Sequence, residues 1–130
     1  MLEFEGNRYL NDIRNRVDLE DYYTYYNKQY FDSKLTPSKF ITLRWNKTLG
    51  VLAGRCVKTY NKTIIELNPI YLNLYPEELD SIFVHEMIHL ITLEHDECFL
   101  EEVKRISKLG LEININCKHN IGLLLSLIHI

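Results

Sequence analysis

Two imidazoles and a carboxylate sit inside one of the most apolar stretches of the chain, His85-Glu86-Met87-Ile88-His89 within residues 79–93, and this constrains the fold more than any other feature. Leu79, Ile82, Phe83 and Val84 precede the string and Leu90, Ile91 and Leu93 follow it. Such a run belongs in a core, and polar groups buried there without partners are costly. On a helix, residues i and i+4 share a face one turn apart, so His85 and His89 can both ligate one metal ion. Glu86, beside the first ligand, then reaches a water on the metal without being a ligand itself. Neutral imidazole nitrogen suits Zn²⁺ and a carboxylate suits a proton acceptor, so the HExxH string points to zinc-dependent hydrolysis.

Catalytic zinc sites use three protein ligands and keep one position open. His95, six residues past His89, is the expected third ligand. On a continuous helix it would project away from the His85/His89 face. The helix must therefore end near Leu93-Glu94 and the chain must turn back, although no glycine marks the turn. A carboxylate of the following helix, Glu101 or Glu102, is the rival. Tyr60, Tyr71 and His119 are candidate donors to an oxyanion, each more simply read as structural or solvated. His129, in the apolar tail, is read as a satisfied or exposed histidine.

The surrounding pattern reads as one α+β domain over residues 1–130. Residues 18–32 form an amphipathic helix, with Asp18 as cap and Leu19, Tyr22, Tyr23, Tyr26 and Tyr30 as its apolar stripe. Strand-like runs follow at 40–45, 49–60 and 63–68, with Gly50 and Gly54 at bulges or turns and a hairpin turn at Asn61-Lys62. Pro69 opens a short helix. Pro76 opens the long active-site helix, expected over 76–93, with Glu77, Glu78 and Asp80 at its positive end. Asp96 caps a further helix over 96–109 that ends at Gly110. Leu111, Ile113, Ile115 and Cys117 alternate with polar residues as a half-buried strand, and residues 121–130 are ambiguous between a returning strand and other structure.

Charge is segregated. Residues 28–62 carry eight Lys/Arg against one acid, a net +7, whereas residues 63–102 carry ten acids and no Lys or Arg. The basic segment, with Trp45 inside it, could face DNA, or the two segments could neutralise each other. Cys56, Cys98 and Cys117 form no CxxC pair, which excludes a zinc ribbon and suits buried thiols in a reducing compartment. No run reaches the ~20 apolar residues of a membrane span. The acidic start, Met1-Leu2-Glu3-Phe4-Glu5, lacks the features of a secretory signal. The expectation is a cytoplasmic protein with no membrane partner.

Several strings together resemble the SprT-like domain shared by bacterial SprT and the Spartan proteases: Tyr26-Asn27-Lys28-Gln29-Tyr30-Phe31-Asp32, Leu43-Arg44-Trp45, Ala53-Gly54-Arg55-Cys56, Ile65-Glu66-Leu67-Asn68 and the HExxH. Residues 85–99 read H-E-x-x-H-x5-H-D-x-x-F, a short spacing similar to that of the WLM and YgjP-like metallopeptidases. The resemblance covers roughly residues 19–111. It implies a zincin-like fold, Zn²⁺ held by His85, His89 and His95, and Glu86 as general base, while the strand runs themselves read as a small antiparallel-type sheet. Asp96 stands where SprT and Spartan usually have glycine, and their C-terminal zinc ribbon and DNA-binding extensions are absent from the sequence. Three functions follow as expectations: a metallopeptidase acting on DNA-bound or DNA-crosslinked proteins, a DNA-independent regulatory protease, and a zinc-stabilised binding module without turnover. A complete Glu86 argues against the third.

Overall fold

A computed structural model describes residues 11–128, with side chains to residue 125. Asp12 caps a short helix α1 (Ile13–Arg16), its carboxylate accepting from Arg14 N and pairing with the guanidinium at 2.7 Å. Asp18 caps α2 (Leu19–Phe31) through Asp21 N. The tyrosine stripe is core: Tyr23 and Tyr26 are buried, with Tyr22 and Tyr30 packed against them. Helix α2 stops because Asp32 and Ser33 enter the left-handed region, at φ 52° and 60°. Asn27 holds that turn, its amide bridging both the N–H and the carbonyl of Leu35.

A 3₁₀ turn (Ser38–Phe40) leads into three short strands, β1 (Thr42–Trp45), β2 (Gly54–Lys58) and β3 (Thr63–Leu67). Their order is β1-β3-β2, with β1 parallel and β2 antiparallel to β3. The sheet is therefore mixed rather than purely antiparallel. Eight residues, 46–53, carry the chain across from β1 to β2, so only the β2–β3 pair closes as a hairpin, with Thr59 N donating to Lys62 O. Ile65 and Leu67 point into the core, and α4 packs over β2 and β3. Between them Glu66 faces the other side of the sheet, where Arg44 and Arg55, its direct cross-strand neighbours, close over it at 2.6 and 2.5 Å.

Asn68 caps α3 (Pro69–Leu74) through Ile70 N. Pro76 opens a 3₁₀ turn (Pro76–Glu78) that runs into α4 (Leu79–Ile88), and Asp96 caps α5 (Glu97–Ser107) through Phe99 N. Helix α4 ends five residues short of the expected position. His89 is its C-cap, and 3₁₀-type bonds close the last turn, Leu90 N to Met87 O and Ile91 N to Ile88 O.

In the C-terminal region one expectation fails and one ambiguity is resolved. Residues 111–117 are irregular, not a strand: Asn114 gives its carbonyl to a histidine of α4 instead of a ladder, and the segment lies against the cleft described below. The tail forms α6 (Gly122–Ile128), with Asn120 Oδ1 accepting from Gly122 N. Ile121 and Leu125, four apart, are both buried, which is the helical way to cover one face. The three cysteines are free, but only Cys56 is partly buried, and Cys98 and Cys117 are exposed. No helix among the described residues is long and apolar enough to cross a membrane.

Candidate metal centre

Helix α4 places His85 and His89 one turn apart, facing away from the core side of Phe83, Val84 and Met87. The turn after it then brings back His95. Thr92 carries most of that turn: its carbonyl accepts from His89 Nδ1 at 2.9 Å, and its hydroxyl donates to Asp96 Oδ2 at 3.0 Å. The other oxygen of Asp96 caps α5. Neither Gly nor positive φ is needed between residues 89 and 96, since Asp32 and Ser33 are the only non-glycine residues with positive φ among the described residues. This is the physical reason the turn has no glycine.

The three Nε2 atoms form a nearly equilateral triangle, 3.2 Å from His85 to His89, 3.2 Å from His85 to His95 and 3.3 Å from His89 to His95. His85 Nδ1 donates to Asn114 O at 2.7 Å and His89 Nδ1 to Thr92 O. With those protons on Nδ1, both Nε2 atoms carry bare lone pairs aimed at each other, an arrangement that calls for a cation. Tetrahedral zinc with Zn–N near 2.0–2.1 Å separates its nitrogens by about 3.3–3.4 Å, so the triangle fits the ion. Burial, with help from the neighbouring imidazoles, pushes His85 down to about 4 against the pull of the Asn114 carbonyl. Burial lowers His89 in the same sense. Both rings are thus the neutral donors that a metal needs.

Phe99 supports the whole group. It is fully buried, and its ring centroid lies 5.0, 5.1 and 4.6 Å from those of His85, His89 and His95. Glu86 stands beside the triangle on a buried backbone, and burial pushes its carboxyl up to about 8. It packs against Gly54 of β2. A Cβ at Gly54 would lie 3.3 Å from Glu86 Cγ and 3.1 Å from both Glu66 O and Leu67 Cδ2.

A cleft of about 330 Å³ opens over these groups. The chain from Leu52 to Cys56 forms one wall, residues 114–118 form the other, and Ser81, Ile82 and Leu93 add to the lining. Ala53 O accepts from Asn68 N, and Thr59 N donates to Lys62 O, so odd-numbered residues of β2 bond to β3. Gly54 and Cys56 therefore turn their backbone N–H and C=O outward along an edge with no strand partner among the described residues.

The remaining sequence candidates lie elsewhere. Glu102 is paired with Arg105 at 2.8 Å and Glu101 is exposed, so neither joins the histidines. Tyr60 is fully exposed on the hairpin. Tyr71 is fully buried and donates to Glu78 Oε1 at 2.8 Å, and His119 Nε2 lies 3.1 Å from Glu78 Oε2. Of that cluster it is Glu78 that reaches the cleft. His129 falls outside the described residues. Phe99, Gly54 and the Asn114 carbonyl escaped a reading based on residue chemistry. The conspicuous sign of Phe99 was its place three residues after the Asp96 cap, and a backbone carbonyl leaves no sign at all.

The family model of the SprT-like family matches residues 19–119. No curated protein matches the chain at a significant level.

Proposed function

Since the chain belongs to the SprT-like family, we propose that it is a zinc-dependent metallopeptidase in which His85, His89 and His95 hold the metal and Glu86 is the general base. The observation that carries this reading is the triangle of Nε2 atoms, 3.2–3.3 Å on a side, with a buried carboxylate next to it. Zinc bound there supplies Lewis acidity, acidifying a water and polarising a peptide carbonyl. Glu86 takes up the proton of the attacking water and returns it to the leaving amine. The substrate lies as an added strand along β2, bonded to the outward N–H and C=O groups of Gly54 and Cys56. The short triangle of ligands, held by Thr92, Asn114 and Phe99, keeps the imidazoles fixed through turnover.

The substrates we propose are proteins bound or crosslinked to DNA, with the basic segment 28–62 touching the nucleic acid. Its six lysines are all exposed, which supports this reading. Three free thiols suit a cytoplasmic setting. A second reading, a DNA-independent regulatory protease, is favoured by the fact that Arg44 and Arg55 are already engaged with Glu66. The deciding experiment is cleavage of a DNA-binding protein by the zinc-loaded chain, with and without single-stranded DNA, beside Glu86→Gln. Cleavage that needs Glu86 and DNA supports the first reading. Cleavage that needs Glu86 alone supports the second. If Glu86→Gln cleaves as well as the parent, the general-base role of Glu86 falls, and if the parent cleaves nothing, the peptidase assignment falls.

A further inference from the structure

A second cavity, of about 370 Å³, lies on the opposite flank of α4 from the cleft. Asp21, Tyr22, Tyr25 and Tyr26 of α2 line it together with Asp80 from the first turn of α4. We propose that this cavity binds the cationic end of a lysine or arginine side chain of a partner polypeptide.

Three of the five lining side chains are tyrosines. Tyr22 and Tyr25 meet the Tyr26 ring at 75° and 66°, with centroids 6.0 and 5.7 Å away, so the rings form a corner and not a stack. A cation is attracted to an aromatic face within about 6 Å of the ring centroid, and Tyr22 and Tyr25 both line this open cavity. Tyr26 is fixed by the core, its edge against Phe83 and its hydroxyl donating to Asp80 Oδ1. That bond in turn anchors the Asp80 carboxylate at the cavity.

Charge selects the sign of the guest. Two carboxylates and no basic residue line the cavity, and neither Asp21 nor Asp80 has an ion-pair partner among the described residues. An anion is repelled. A metal ion is poorly served, because the only cluster of three ligand atoms among the described residues is the histidine triangle. An ammonium or guanidinium on a methylene stem matches both the aromatic walls and the volume. Tyr25 is 58% exposed, an extent of aromatic surface that the core does not require. The assignment stands apart from the peptidase reading, since none of these five residues lines the cleft.

The test is an NMR titration of the full zinc-loaded chain, following the ring signals of Tyr22, Tyr25 and Tyr26. The probes are the blocked amides of lysine, trimethyl-lysine and arginine, with blocked norleucine as the neutral counterpart. The three cations are expected to shift these signals with dissociation constants on the order of 10 mM, and norleucine is expected to leave them unmoved. Tyr25→Ala and Asp21→Asn should each weaken binding by about threefold to tenfold. Both sites are exposed, and an unchanged melting temperature shows that each variant is folded. Equal shifts from norleucine, cation binding that survives both substitutions, or no shift from any cation at about 50 mM in low salt would overturn the assignment.

Discussion

Glu86 and Gly54 pack against each other in the lining of the cleft, and each sets a condition on the other. Glutamine has the shape of glutamate without its basicity. Glu86→Gln is therefore expected to keep the histidine triangle and its zinc while lowering kcat by about 10²–10⁴-fold, the usual worth of a positioned general base. Metal content by atomic absorption beside peptide turnover separates the two effects. Gly54 matters for a different reason. Its missing Cβ leaves the room that Glu86 Cγ occupies, and a methyl group there would meet backbone, Glu66 O at 3.1 Å, which cannot move aside as a side chain does. Gly54→Ala should displace Glu86 and lower kcat/KM by about 10–100-fold, in line with the cost of small misplacements at a reacting centre. Unchanged zinc binding is expected, because no ligand touches Gly54. An alanine variant with full activity would mean that Glu86 is placed by something other than the approach of β2.

The elements divide by whether their cause is local. Asp18 and Asp96 each precede a helix in the sequence and each caps it in the fold, and Pro69 sits in a first turn, so these starts were readable, whereas Asn68, the cap before Pro69, read as the end of a strand. The HExxH spacing put His85 and His89 on one face and the Asp96 cap called for a break near Leu93-Glu94, whereas the helix in fact stops at Ile88, and this earlier turn brings His95 to the other two histidines. Residues 111–117 show the limit. Their alternation is that of a strand, but the Asn114 carbonyl is taken by His85, a contact made across 29 residues that no periodicity encodes. The parallel pairing of β1 with β3 is equally nonlocal. Two predictions belong at this scale. Asp96 ties the ligand turn to α5 through Thr92 and Phe99 N, so Asp96→Ala should lower Tm and weaken zinc binding by loosening His95. Competition against a chelator measures the second effect, and unaltered affinity would show that the turn holds without its cap. Glu66 ties the three strands. Burial would raise its carboxyl, but hydrogen bonds from Arg44, Arg55 and Asn46 outweigh this and hold it below the ordinary range. A carboxyl lowered on folding stabilises fully above its unfolded value and loses that contribution as pH falls through the folded one. The Tm difference between the parent and Glu66→Gln should thus be widest at neutral pH and begin to narrow only as pH falls below the ordinary glutamate value of about 4.3.

Over the whole molecule, the segregated charge of the sequence is only partly resolved by folding. Arg44 and Arg55 from the basic segment close on Glu66 from the acidic one, so the two segments do meet. Lys28, Lys34, Lys39, Lys47, Lys58 and Lys62 remain exposed. Of these, Lys58 donates to Leu90 O and Lys39 lies over the Phe40 ring, and neither contact removes a charge. If these lysines grip single-stranded DNA, each phosphate they neutralise releases counterions, and the logarithm of the binding constant should fall with the logarithm of salt by about 0.7 per contact. Replacing one contacting lysine by glutamine should then flatten the slope by about 0.7 and leave Tm unchanged. Replacing Arg44 or Arg55 should instead lower Tm, because each is a partner of a fully buried carboxylate. Fluorescence anisotropy of labelled single-stranded DNA across a salt series, read beside the melting curves, separates these roles. A slope that no lysine substitution alters would remove the segment from the DNA contact. Absence of binding even at low salt would leave the DNA-independent protease as the reading consistent with the same metal centre.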